Sequence, residues 1–132
     1  MDLYDADPRA VVRFLPGDLL AIFAFVLAGT LSHGTLTAER YAGVLLPFLV
    51  GWVVVAPFAG GYDSSVLEST RAAIAYGAVS WLGADFLAQL LRGTPFFPGS
   101  ADPQFFVVAL VFGTVALVAA RFATLVVVDY RG

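Results

Sequence analysis

Five ionisable side chains lie within or at the edges of long apolar stretches: Asp18, His33, Asp85, Arg92 and Arg121. A charge inside a bilayer is costly, so such groups pair, line a cavity or act on an ion. At about 100° per residue, Trp81, Asp85, Gln89 and Arg92 share one face of a helix. Asp18, Phe25, Gly29, Ser32 and His33 fall in a broad stripe of another, and Thr114 and Arg121 share a face of a third. Depth suggests two groupings: an inner ion pair of Asp18 with Arg121, and an outer polar site of His33, Asp85 and Arg92. Asp85 and Arg92 are two turns apart, roughly 10 Å along a helix axis, so Gln89 or His33 would have to bridge them. Each group also has a purely structural reading. Asp18–Arg121 reads as a packing clamp, or Asp18 as a helix cap. Arg92 reads as a snorkelling side chain and His33 as a solvated one. Asp85 is hardest to dismiss, because a carboxylate several turns inside a span must be protonated or paired.

Other chemistries find little support. The chain has no cysteine and one histidine, which excludes a thiolate nucleophile, a disulfide framework and a histidine-rich metal site. It contains no GxGxxG, Walker loop, HExxH or GxSxG, so no catalytic residue, cofactor or metal is expected and the protein does not read as an enzyme. All seven basic residues are arginine, and the net charge of -3 offers no nucleic-acid footprint. Acid excess without lysine fits a halophilic setting; a GC-rich codon bias explains it equally well.

The elements that must position these groups follow from composition. The 132 residues are 60% hydrophobic and only 13% charged, with mean hydropathy +0.87. A soluble domain is about 45–50% apolar and about 25% charged, so this chain needs lipid around it. Spans of about 20 apolar residues are expected over 18–36, 41–62, 72–91 and 105–128. They define an all-α polytopic membrane protein, a bundle of four transmembrane helices behind a polar tail at 1–17 broken by Pro8 and Pro16. The first span is too long for a signal peptide and lacks a cleavage site. Placing both termini in the cytoplasm puts five arginines inside (9, 13, 71, 121, 131) and two outside (40, 92), which sets the expected orientation in the cell membrane. Tyr41, Tyr62 and Tyr130 fall at span ends as interfacial anchors, whereas Trp52 and Trp81 sit mid-span as packing or pocket residues.

In the second span Pro47 and Pro57 would free the carbonyls of Gly43 and Val53, and with Gly51 between them this helix reads as a hinge. Small residues four apart (Ala109/Gly113, Ala116/Ala120/Thr124, Ala24/Ala28/Ser32) permit close helix contact.

Several segments together resemble a known family. They are GDLLAIFAFVLAGTLSHG in the first helix, LLPFLVGW in the second, WLGADFLAQLLR in the third, and the apolar fourth helix running to Arg121. The chain is similar over about residues 15–128 to the prokaryotic four-helix membrane proteins grouped as domain of unknown function 3054. The resemblance implies an integral four-helix fold and matches Asp18, His33, Pro47, Trp52, Trp81, Arg92 and Arg121; Asp85 lies outside it. It implies no reaction.

Two functions fit these expectations. One is a homo-oligomeric transporter or channel for a small solute or ion, with Asp85, His33 and Arg92 as an outer gate or proton-coupled site, Asp18–Arg121 as an inner clamp and the Pro47/Pro57 helix as the moving part. The other is a structural or assembly subunit of a larger membrane complex.

Overall fold

The computed structural model describes residues 6–32, 37–95 and 103–131, and these form helices α1 (Pro8–Ser32), α2 (Ala38–Phe58), α3 (Ser65–Glu68), α4 (Thr70–Arg92) and α5 (Pro103–Arg131). Four of them, α1, α2, α4 and α5, are long and apolar enough to cross a membrane. The protein is therefore an all-α bundle of four membrane-spanning helices, and α3 is a short turn at one end. His33 lies outside the described residues.

Around the bundle the order is α1, α2, α4, α5, so that α1 opposes α4 and α2 opposes α5 across the centre. The closest contact is α2 on α4, and its cause is glycine. A Cβ on Gly51 would stand 2.5 Å from the Ala84 carbonyl oxygen, so only glycine lets the two backbones approach this far. The inner face of α4 continues that logic with Ala73, Gly77, Ala84 and Ala88, all buried. Leu20, Leu27, Leu31, Val53, Phe86, Phe112 and Val115 point outward instead, as lipid-facing side chains should.

The first helix starts at Pro8, not at Asp18. Asp7 caps it, accepting the Arg9 N–H at 2.9 Å on Oδ1, and Pro8 takes the first helical position, where its missing N–H costs nothing. Pro16 is then accommodated inside the helix. The consequence is that Asp18 does not cap a helix: it lies about 15 Å into α1 and is fully buried. Thr37 caps α2, accepting from Arg40 N–H at 3.1 Å, and Ser69 caps α4, accepting from Ala72 N–H at 3.2 Å.

Candidate functional site

The interior holds two polar centres separated by a layer of aromatic rings. The first is built on Asp18 of α1 and Arg121 of α5. Arg121 Nε donates to Asp18 Oδ1 at 3.0 Å and Nη2 donates to Oδ2 at 2.8 Å, a two-point carboxylate–guanidinium pair. Nη1 donates to the Ala73 carbonyl at 2.8 Å and Nη2 also to the Gly61 carbonyl at 3.0 Å. One side chain on α5 thereby holds α1, α4 and the connection after α2. The stem of Arg121 lies over Gly77, where a Cβ would come within 2.8 Å of Cδ. The guanidinium also stands 4.8 Å from the Phe14 ring centroid.

Tyr62 completes this centre, contrary to its expected place as an interfacial anchor. Gly60, at φ +85, turns the chain sharply after α2, a conformation that suits glycine. The turn sends Tyr62 inward, leaving it 3% exposed. Its hydroxyl donates to Asp18 Oδ2 at 2.6 Å and accepts the Trp52 indole N–H at 2.8 Å. Burial first, and the Asp18 carboxylate second, push the Tyr62 phenol well above the usual tyrosine range. Sequence reasoning missed it, although Trp52 offered a signal: a mid-span indole N–H needs an acceptor, and nothing on its own helix supplies one.

The aromatic layer lies between the centres. Trp81 stacks on Phe48 at 5.4 Å and meets Phe25 edge-on at 5.8 Å, while Trp52 lies 6.5 Å from Trp81. Trp81 Nε1 donates to the Ala109 carbonyl at 2.9 Å. Its ring fills the space that a Cβ on Gly113 would need, so the Ala109/Gly113 spacing serves a packed indole.

The second centre is on α4. Trp81, Asp85 and Gln89 are all buried on its inner face, and Asp85 is fully so. Gln89 Nε2 donates to Asp85 Oδ1 at 3.3 Å, while Asp85 Oδ2 and Gln89 Oε1 are buried and have no hydrogen-bond partner among the described residues. Arg92, at the end of α4, lays its guanidinium 4.5 Å from the Phe105 ring centroid. Of the expected outer residues, Gln89 thus contacts Asp85, Arg92 packs on an aromatic ring, and His33 is outside the described residues. Pro47 and Gly51, the proposed hinge positions with Pro57, are buried in a continuous α2, Gly51 directly against Ala84.

Among the described residues no cluster of three or more His, Cys, Asp or Glu could hold a metal ion. Comparison with curated proteins and with solved structures gives no match. The family described as protein of unknown function DUF3054 matches residues 15–124, most of the chain including both polar centres, and this protein belongs to that family.

Proposed function

We propose that the protein is a small homo-oligomeric transporter or channel for a small solute or ion, with both termini in the cytoplasm. The observation that carries this reading is the Asp85–Gln89 pair. Two buried acceptor oxygens without donors are costly in a span unless something passes through or binds there. Four helices this closely packed enclose little volume, so a path past the buried Asp85 and Gln89 would open only when helices move apart, with Arg92 toward the outer end. Asp18–Arg121 then acts as the inner clamp, and the α2 helix, with Pro47, Gly51 and Pro57, as the element that moves.

A second reading, a structural or assembly subunit, is favoured by the Asp18–Arg121 centre. Every guanidinium nitrogen there ends on a protein oxygen, as in a packing device. The mass of the complex extracted gently from native membranes separates the two. A homo-oligomer supports transport, whereas a stoichiometric second polypeptide supports assembly.

A further inference from the structure

Asp85 and Gln89 share one hydrogen bond and leave two oxygens unserved among the described residues. The amide N–H donates to one carboxyl oxygen at 3.3 Å, and the two oxygens left over, Asp85 Oδ2 and Gln89 Oε1, are both acceptors with no donor among the described residues. A carboxylic acid and a primary amide pair through two complementary bonds, N–H to the acid carbonyl and acid O–H to the amide oxygen. A proton on Oδ2 would turn that unserved acceptor into a donor, the group that Gln89 Oε1 on the same paired amide lacks. Reversing the Gln89 amide does not help, because its oxygen would then face Asp85 Oδ1, again an acceptor.

We infer that Asp85 and Gln89 form a proton-binding acid–amide pair inside the membrane. This rests on the reading of Asp85 as the intramembrane site and makes the proton the ion that this site takes. The step is simple uptake: a proton from water bonds to Oδ2, and its release restores the carboxylate. Among the described residues, neighbouring charges are few. On α4 itself there is Arg92, at the end nearer Asp85, and Arg71 in the first turn. On α2, Glu39 and Arg40 are exposed in the first turn, and Glu68 of α3 lies at the far end of α4. On α5, Arg121 is committed to Asp18. The Trp81–Phe48 stack, one turn from Asp85, stands between this pair and the Asp18 centre.

The test is infrared spectroscopy of the full chain in lipid, read at the carboxylic acid C=O band as pH is raised. The expected result is a band that disappears reversibly with rising pH, is absent from Asp85→Asn, and shifts in frequency in Gln89→Leu. Asp85→Asn should fold, because an amide–amide pair satisfies the same two bonds without a proton. A wild-type spectrum with no such band, or one that Asp85→Asn leaves unchanged, would overturn the inference. Ion flux in proteoliposomes is scored separately. A titrating band without flux removes the transport reading and leaves the proton site, and flux without the band does the reverse.

Discussion

Replacing Arg121 with methionine keeps an unbranched stem and removes the guanidinium with its charge. Arg121 is 1% exposed and its partner Asp18 is 0% exposed, so the substitution strands a carboxylate away from water with the Tyr62 hydroxyl as its one remaining donor among the described residues. Breaking one side of a buried pair costs about 3–5 kcal/mol, because the remaining charge is uncompensated. The Ala73 and Gly61 carbonyls each lose a donor as well, for about 1 kcal/mol apiece. Adding Asp18→Asn should then recover stability, since the charge is gone and the asparagine oxygen can still accept from Tyr62. The double variant should lie about 2 kcal/mol or more above Arg121→Met alone, with the carbonyl loss remaining. The assay is reversible unfolding in mixed detergent micelles, run as a double-mutant cycle. A double variant no more stable than Arg121→Met, or an Arg121→Met protein as stable as wild type, would refute the reasoning.

Three further outcomes follow from the same geometry. Exchanging the charges, Asp18→Arg with Arg121→Asp, should fail to restore wild-type stability in a thermal melt: the guanidinium also needs the Ala73 and Gly61 carbonyls, and Gly77 makes room for its stem only on α5. Gly77→Ala should cost about 1–3 kcal/mol by pressing on Arg121, while Gly29→Ala, with nothing within 4 Å of the new Cβ, should be close to neutral in the same melt. The raised Tyr62 phenol stabilises the fold fully below the ordinary tyrosine value of about 10 and loses that contribution as pH rises above it. Alkaline unfolding followed by phenolate absorbance should therefore occur at higher pH in Tyr62→Phe than in wild type, after allowance for its lower starting stability; an unchanged pH dependence would contradict this.

Hydropathy made the four spans legible, because lipid-exposed leucine, valine and phenylalanine leave no other home for such stretches. The Asp18–Arg121 partnership was also readable, since few opposite charges share that depth. The start of α1 was not. Polarity and the breaks at Pro8 and Pro16 make 1–17 read as a tail, although Asp7–Pro8 has the cap-and-proline order of a helix start. That error hid how deep Asp18 lies. Tyr62 was illegible for a different reason: whether a tyrosine at a span end faces headgroups or the interior depends on the turn at Gly60, and backbone direction is not written in hydropathy. The carbonyls that Arg121 uses are likewise backbone atoms, placed only once α2 and α4 have packed. At the other centre, the shared helical face of Asp85 and Gln89 was evident from spacing, but their two unserved oxygens appear only with atomic positions.

The most direct test of transport is ion flux into proteoliposomes containing the purified protein, comparing wild type, Asp85→Asn and the lipid-facing control Phe112→Leu. Flux is expected in wild type and in Phe112→Leu, and its loss in a folded Asp85→Asn protein. Absence of flux in folded wild type, or equal flux in Asp85→Asn, would contradict this expectation.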